Sequence, residues 1–290
     1  MKKPVKIIDS VAANDGDGVQ IRRIAGRHLN AILDPFLMID EINSDNASDY
    51  IGGFPEHPHR GFETITYMKA GRMRHRDHMG NEGIIHSGDV QWMTAGKGVL
   101  HSEMPEQDSG LLHGFQIWLN LAAAEKMKPA AYRDIPSKSI YEENLRGGGR
   151  VRVIAGNVSV ENQRLQGAIP PLTTEPILLD VQLSPKESID LKFETSNPLF
   201  VYVYQGTVQQ PVTSAGRGDE GYTDSIQRRQ MGIFPDSDQL NLSAGVSGAN
   251  FLVLGGRPIK EPIVQHGPFV MNSAEQINQA IMDFRNNRLV

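Results

Sequence analysis

The sequence predicts an all-β protein of two similar antiparallel β domains, barrels or sandwiches, that ends in one α-helix. Three observations predict it. Residues 1–120 read as short β segments separated by closely spaced glycines, which leaves no room for the helices of βαβ units. At an offset of 135 residues ITYMKAG (65–71) aligns with FVYVYQG (200–206), which indicates a duplication. Helix signals are strong only near the end of the chain.

The β segments of the first half alternate apolar and polar residues or run briefly apolar, and each is followed by a turn residue. They comprise 18–24, 64–68, 83–86, 90–93 and 114–119, with breaks at Gly71, Gly80, Gly88, Gly96 and Gly98. This spacing favours a closed or nearly closed antiparallel sheet. In the second half, segments of the same kind recur at 177–183, 199–204, 230–234 and 250–254.

The connection between the halves has a different composition. Residues 121–149 contain prolines at 129 and 136 and three glycines at 147–149, a pattern typical of an inter-domain connection with one short helix. We therefore predict an N-terminal domain over 1–134 and a C-terminal domain over 135–290 that includes the terminal helix.

That helix has a sequence-level start and an apolar stripe. Ser273 and Gln276 form a capping box, and a stripe at helical spacing follows, consisting of Ile277, Ala280, Ile281 and Phe284. The stripe predicts packing against a domain.

Composition excludes several classes of function. The 290 residues include no cysteine, so thiolate zinc sites, iron–sulfur clusters, disulfides and cysteine nucleophiles are ruled out. A net charge of −5 with scattered arginines lacks the basic patch of a direct nucleic-acid binder. The start of the chain has no signal-peptide pattern, and no apolar run approaches the roughly 20 residues of a membrane span. We expect a cytoplasmic protein without a membrane partner.

Two short motifs point to a metal site. His57 and His59 form an HxH pair, and His101 and Glu103 form an HxE pair. Alternate residues of a strand share a face about 7 Å apart, so two such pairs can enclose one ion. Three neutral imidazoles and one carboxylate suit Fe(II), Mn(II), Ni(II), Cu(II) or Zn(II) and leave two positions of an octahedral ion open.

Longer strings around these motifs resemble the pirin family of the cupin superfamily. They are GGFPEHPHRGFET (52–64), GDVQWMTAGKGVLHSEMP (88–105), LDPFL (33–37) and EPIVQHGPFVMN (261–272). The resemblance implies two cupin barrels, jelly-roll-like, with one Fe(II) in the N-terminal barrel held by His57, His59, His101 and Glu103. At the 135-residue offset the two HxH positions become Lys192 and Glu194, so we expect the C-terminal barrel to be metal-free.

Glu63 is the competitor of Glu103 for the fourth ligand position. It stands roughly where other cupins carry a first-motif glutamate ligand, whereas pirins resemble one another in using the second-motif acid. In an unbroken strand Glu63 would lie about 13 Å beyond His59, too far for the same ion unless the chain bends. We expect Glu103 to be the ligand and Glu63 to be structural or to contact a ligand without binding the metal.

Other residues near these motifs have less informative patterns. His75 and His78, in a charged segment after Gly71, are expected to be solvated. Phe54, Trp92 and Met93 could line a pocket or belong to the barrel core, and the pattern does not choose between the two.

The resemblance implies a metal-dependent dioxygenase, an oxidoreductase, that opens flavonols such as quercetin. Glu103, as the only anionic ligand, would accept the substrate proton when it loosens from the metal. The alternative that the resemblance implies is a non-catalytic, iron-dependent redox-sensing regulator that binds a transcription factor or a metabolic enzyme. A third reading, a Lewis-acid enzyme such as a sugar isomerase, is also compatible with the two motifs. The expected partners are thus a small aromatic substrate and a regulatory protein.

Overall fold

The computed structural model describes residues 4, 6–26, 28–170, 172–210 and 225–290. The chain forms two compact units, and each combines two separate stretches of sequence. One contains Val11–Ser137 and Ile259–Val290, and is called here the metal-site unit because it carries both histidine motifs; the other contains Met1–Ser10 and Lys138–Pro258.

The metal-site unit is built almost entirely of short strands, as the glycine spacing predicts. Its strands are β2 (Val11–Asp15), β3 (Val19–Ala25), β4 (Phe36–Ser44), β5 (Phe54–His59), β6 (Phe62–Ala70), β7 (Met73–Asp77), β8 (Glu82–Ile85), β9 (Val90–Thr94), β10 (Val99–Pro105), β11 (Leu112–Asn120), β12 (Ala131–Ile135), β21 (Val264–His266) and β22 (Phe269–Met271). The helices are α1 (Asn30–Leu33) and α2 (Ala274–Arg285).

Two antiparallel sheets of this unit carry the residues of the site. The larger has seven strands in the order β12-β9-β6-β11-β4-β3-β2, and the smaller has four in the order β5-β10-β7-β8. Among the apolar side chains buried in this unit are Val19, Ile21, Ile42, Tyr50, Met68, Met73, Ile85 and Leu112, which form one cluster. Both histidine motifs lie on the smaller sheet, on its neighbouring strands β5 and β10.

The other unit consists of β1 (Lys6–Asp9), β13 (Tyr141–Asn144), β14 (Arg150–Ala155), β15 (Asn157–Val160), β16 (Gln163–Gln166), β17 (Ile177–Leu183), β18 (Ser188–Gln209), β19 (Ile226–Gln227) and β20 (Gln230–Gly255). Its main path runs β13-β14-β17-β20-β18-β15-β16, while β1 pairs with β20 and β19 pairs with β18. The interior is apolar and includes Val151, Leu179, Val201, Phe234 and Phe251.

The C-terminal segment closes the metal-site unit. Ser273 caps α2 and forms the predicted capping box with Gln276, while Ile277 and Ala280 are buried. Arg60, the residue after His59, donates from Nη1 to Asp283 Oδ2 at 2.8 Å and from Nη2 to the Leu289 carbonyl at 3.3 Å. The arginine side chain is only 5% exposed, so this ion pair ties α2 to the end of the strand that carries the HxH motif.

The all-β prediction with one substantial helix near the end is confirmed. The expected connection over 121–149 contains two strands, β12 and β13, and a single 3-10 turn at Ser137–Ser139 in place of an α-helix. The chain divides between Ser137 and Lys138, close to the predicted boundary. Its two ends are assigned differently from the prediction: residues 1–10 belong with Lys138–Pro258, and α2, expected in the domain over 135–290, packs with the metal-site unit. Within the described residues no helix is both long and apolar enough to span a bilayer.

Lys126 is a buried cation that joins three parts of the metal-site unit. Its ammonium donates to the Gly61 carbonyl at 2.8 Å, the Val270 carbonyl at 3.0 Å and Asn120 Oδ1 at 2.7 Å. The side chain is 1% exposed, and burial lowers its pKa to about 8. The lysine thus connects the turn after His59 with the C-terminal hairpin β21-β22.

Replacing Lys126 with methionine is expected to lower the free energy of unfolding by about 3 kcal/mol, because three buried oxygens lose their donor. Urea denaturation of the purified protein measures the change. Lys97→Met is the matched control, since Lys97 is exposed, and it should change stability by less than about 0.5 kcal/mol. Equal stability of the two variants would contradict a structural role for Lys126.

Candidate metal centre

Three histidines converge on the inner face of the smaller sheet. His57 and His59 point to one side of β5 because they are two residues apart, and His101 of β10 lies directly opposite His57 in the register of the two strands. The three rings are mutually within contact, with centroid separations of 4.4 to 4.9 Å. The HxH and HxE motifs therefore meet side by side in one sheet.

The imidazole nitrogens are arranged as ligands of a common ion would be. One nitrogen from each ring lies within 4.8 Å of the other two. His57 Nδ1 donates to the Pro55 carbonyl at 2.8 Å, which leaves Nε2 with a lone pair, and that Nε2 is 3.0 Å from His59 Nε2. Two adjacent ligands about 2.1 Å from an octahedral ion are about 3.0 Å apart. This separation fits a metal centre.

Burial keeps two of these imidazoles neutral, the form that binds metal. The pKa of His59 is lowered well below its usual value, first by burial and then by the neighbouring His57, with a smaller opposing effect of the Pro268 backbone. The pKa of His101 is lowered first by burial and then by His59, His57 and His75. His101 Nε2 is buried and has no hydrogen-bond partner among the described residues. A cation would supply the missing partner, so the residues fit a bound metal.

Glu103 lies beside the three histidines, outside the group whose ligand atoms converge within 4.8 Å. Between His101 and Glu103 the pairing of β5 with β10 shifts by one residue, because the extra residue lies on β5, whereas β10 stays in regular register with β7. Oε1 is 2.8 Å from Thr66 Oγ1, and Oε2 accepts a hydrogen bond from Gln116 Nε2 at 2.6 Å. Thr66 Oγ1 is also 2.8 Å from Gln116 Oε1. The three side chains form a closed ring of polar contacts.

Glu63 lies on the other face of its sheet. In β6 the side chain of Thr66 reaches Glu103, so Glu63, an odd number of residues away, points away from the histidines. Its buried carboxylate accepts from Trp92 Nε1 at 3.0 Å and Thr94 Oγ1 at 2.7 Å, and Lys128 Nζ is 3.2 Å away. The chain does bend after His59, because β5 ends there and β6 begins at Phe62. Glu63 is therefore kept from the site mainly by the alternation of side chains along β6, and less by its distance from His59 along the chain.

The expectation that His75 is solvated is wrong. It is completely buried in β7, and its Nδ1 lies 3.4 Å from His101 Nδ1. The ring packs against that of Tyr132, with centroids 4.9 Å apart and the planes tilted by 30°. Burial lowers the pKa of His75, while Glu103, Asp77 and Asp134 raise it. The register of β7 with β10, which turns His75 inward beside Glu103, could not be inferred from the charged sequence around it. His78, by contrast, is exposed.

His57 and His59 open onto a cavity of about 670 Å³. His57, His59 and Glu103 form one part of its wall, and Trp118, Met38, Ile42, Ile21 and Phe54 supply apolar surface. Gln265, Gly267 and Pro268 of the C-terminal hairpin complete the lining. A cavity of this size and character suits a small, largely apolar ligand.

The sequence could not decide which residues line the cavity. Phe54 does. Trp92 instead donates to Glu63 on the outer side, and Met93 is packed with Ala95 and Val99. Trp118 and Gln116 were missed by sequence reasoning, although both belong to the apolar segment 114–119 that predicted β11. Alternation along that strand was their only available signal.

The second unit has different chemistry at the equivalent positions. Lys192 and Glu194 lie in β18, with side chains 57% and 53% exposed, and they pair with Asp190 and Arg164. No group of metal-ligating residues is found there within the described part of the chain. The absence of metal from this unit remains a prediction.

A duplicated antiparallel β architecture, with three histidines gathered on the inner face of one unit, defines a two-domain cupin. The pirin family profile matches residues 18–119, and the profile of the pirin C-terminal cupin domain matches residues 178–290. The chain belongs to the pirin family, as the sequence motifs predict.

Relatives across the whole chain agree with this assignment. The chain is 44% identical to a Pseudomonas aeruginosa protein named "Putative quercetin 2,3-dioxygenase", with 96% of this chain and 94% of that protein covered. It is 35% identical to human pirin, with 98% and 93% covered. Among solved structures, a quercetin 2,3-dioxygenase from Acinetobacter baumannii matches with a TM-score of 0.86 and 32% identity, over 100% of this chain and 98% of that one.

Proposed function

We propose that this protein is an iron-dependent dioxygenase that opens the heterocyclic ring of flavonols, of the quercetin 2,3-dioxygenase type. The observation that carries the proposal is the cavity of about 670 Å³ with the three histidines and Glu103 in its wall or directly behind it. Two of the relatives named above carry the corresponding enzyme name, which supports the substrate class. The three-histidine cluster can bind a metal ion, and we propose Fe(II) as that ion.

In this proposal His57, His59 and His101 hold the ion through their free ring nitrogens, and Glu103 is the fourth ligand. The ion would supply a positive charge that lowers the pKa of a bound enolic hydroxyl and a centre at which dioxygen reacts. The apolar wall formed by Trp118, Met38 and Phe54 would orient a flat aromatic substrate and exclude water from its ring.

The closed ring of hydrogen-bond contacts among Glu103, Thr66 and Gln116 allows Glu103 Oε1 to accept the substrate proton. A threonine hydroxyl has one proton, so Thr66 Oγ1 cannot donate to Glu103 Oε1 and Gln116 Oε1 at once. When Glu103 takes a proton on Oε1, it donates to Thr66 Oγ1, and Thr66 then donates to Gln116 Oε1. Gln116 Nε2 continues to donate to Glu103 Oε2. Every contact of the ring is then satisfied, which favours Glu103 as the general base.

The test is oxygen consumption by iron-loaded protein mixed with quercetin, together with the loss of quercetin absorbance. We expect dioxygen uptake in stoichiometric proportion to the flavonol consumed. The same protein stripped of metal by a chelator is the control and should be inactive until iron is restored. No turnover with any divalent metal in a protein that binds the metal would overturn the proposal.

His75 is expected to set the orientation of the ligand His101. If His101 binds metal through Nε2, its Nδ1 carries the proton and can donate to His75 Nδ1, 3.4 Å away. Replacing His75 with phenylalanine removes this acceptor and should weaken metal binding by about 10- to 100-fold. Competition with a chromophoric chelator measures the affinity.

Two controls separate this effect from lost packing. His75→Gln offers an amide oxygen as acceptor and should recover much of the affinity, whereas His86→Phe changes an exposed histidine and should leave it unchanged. Wild-type affinity in His75→Phe would show that His101 needs no such partner.

A further inference from the structure

A charged cluster lies in the cavity wall away from the histidines, on the larger sheet. Arg23 donates from Nε to Asp40 Oδ1 at 2.8 Å and from Nη2 to Asp40 Oδ2 at 2.6 Å, and the same Nη2 also contacts Asp15. The side chain of Asp40 is 6% exposed and that of Asp15 is 46% exposed. All three residues line the cavity. The mechanism proposed above does not use any of them.

This cluster continues a polar row across the larger sheet. In the strand register Arg23 is opposite Asp40, Asp40 is opposite Gln116, and Gln116 is opposite Thr66. Directly paired residues point to the same face, and neighbouring strands are about 4.8 Å apart. Asp40 therefore lies roughly 10 Å from Thr66, the residue that contacts Glu103. The charged cluster thus stands at one end of this polar row and the contacts to Glu103 at the other, while Met38, Ile42 and Trp118 supply apolar surface elsewhere in the cavity wall.

The charges in the cavity wall are unbalanced. The carboxylates of Asp15, Asp40 and Glu103 contribute three negative charges and Arg23 one positive charge, a sum of −2 with neutral imidazoles. A divalent ion at the histidines would bring the sum to zero. A substrate that carried its own carboxylate would then add uncompensated negative charge beside two aspartates, which costs free energy.

Asp40 retains the capacity to bind a ligand although it is paired. A carboxylate has about four acceptor sites, and Arg23 occupies two of those of Asp40. The bidentate pair also fixes the direction in which the remaining lone pairs point. Hydroxyl hydrogens are suitable donors for these sites, because a hydrogen bond to a charged acceptor is stronger than one to a neutral group.

We infer that Asp40, held by Arg23 and assisted by Asp15, accepts hydrogen bonds from hydroxyl groups at the end of the substrate remote from the metal. The site thereby selects a neutral aromatic molecule with hydroxyls at both ends and discriminates against carboxylates. This inference rests on the proposed function. Within it, Asp40 determines which flavonols bind well, and it takes no part in the reaction of the heterocyclic ring.

The test compares two flavonols that share the reacting ring system. Quercetin carries two hydroxyls on its pendant ring, and galangin carries none. Their dissociation constants for iron-loaded protein are measured without oxygen, by quenching of tryptophan fluorescence, since Trp118 lines the cavity. We expect wild-type protein to bind quercetin about 10-fold more tightly than galangin. In Asp40→Asn the preference should fall to about 3-fold or less, while the galangin constant stays nearly unchanged.

Asp15→Asn provides a second variant if loss of the buried Asp40 charge prevents folding, because Asp15 is half exposed. It should also reduce the preference for quercetin. Asp283→Asn is the matched control, since Asp283 pairs with the buried Arg60 and does not line the cavity, and its preference should equal that of the wild type. Iron content is measured for each variant to show that the centre is intact.

A third ligand, 3-hydroxyflavone with a carboxylate at the 4′ position, should bind more weakly than galangin. Three results would overturn the inference: equal binding of quercetin and galangin, an unchanged preference in both aspartate variants, or tight binding of the carboxylate. Turnover of galangin in such a case would leave the proposed function standing. Failure of either flavonol to bind the iron-loaded wild type would overturn the proposed function itself.

Discussion

Alanine at position 101 is expected to abolish metal binding, with the iron content of the purified protein falling from about one to less than about 0.1 per chain. His101 lies opposite His57 and contributes one of the three converging nitrogens, and its loss leaves two imidazoles from a single strand. Loss even of a residue that only orients a ligand typically costs 10- to 100-fold in affinity, so loss of a ligand itself should cost more. Elemental analysis after dialysis measures the iron, and flavonol turnover should fall to background in parallel.

His266→Ala is the control for this variant, because His266 is an exposed histidine of the C-terminal hairpin and should not alter the iron content. Circular dichroism and the thermal transition of metal-free protein show whether His101→Ala still folds. A folded His101→Ala variant that retained a full complement of iron would contradict the assignment of His101 as a ligand.

Glu103→Gln is expected to lower kcat per bound iron by about 10²- to 10⁴-fold, while part of the iron remains bound because three histidines are intact and the amide oxygen of glutamine can still contact the ion. Glutamine has nearly the shape of glutamate and can still contact Thr66 and Gln116, but it cannot accept a proton from the substrate. Iron content and turnover are measured on the same preparation, so that a loss of metal is not mistaken for the loss of a base.

Glu63→Gln provides a closely matched comparison, since Glu63 is also a buried glutamate but faces Trp92, Thr94 and Lys128 on the opposite side of its sheet. We expect this variant to lose stability, by about 1–3 kcal/mol, and to retain both iron and kcat. If Glu63→Gln lost activity and Glu103→Gln did not, the assignment of roles to the two glutamates would be reversed.

The spacing within the HxH and HxE motifs was sufficient to predict that each pair shares one face of a strand, and the resemblance of the surrounding segments to a known family predicted that the two pairs meet. An HxH or HxE pair on a strand places both side chains on one face, whatever the rest of the fold does. Antiparallel pairing of β5 with β10 then brings His57 opposite His101. The fold class was likewise predictable, since closely spaced glycine turns are incompatible with long crossover helices.

Features that depend on pairing between distant strands were not predictable in the same way. His75 is preceded and followed by arginines, so its local sequence indicates solvent, yet alternation along β7 buries it while Arg74 and Arg76 reach outward to Glu82. The row from Arg23 to Thr66 combines four strands whose register no single segment encodes. The cavity wall depends on the register between such strands. The predicted domain limits placed residues 1–10 and 259–290 in the wrong units for the same reason, since contacts between distant segments decide where they pack.

Because residues 259–290 pack with residues 11–137, the unit that carries the histidines is completed late in translation. The acceptor of Lys126 on Val270 and the partner of Arg60 on Asp283 leave the ribosome only after the whole of the second unit has been synthesised. Until residues 259–290 have been synthesised, the unit that carries the histidines is incomplete. The histidine pocket is therefore completed only after residues 259–290 have been synthesised, and a product that ends at the midpoint of the chain lacks the segment that closes this unit.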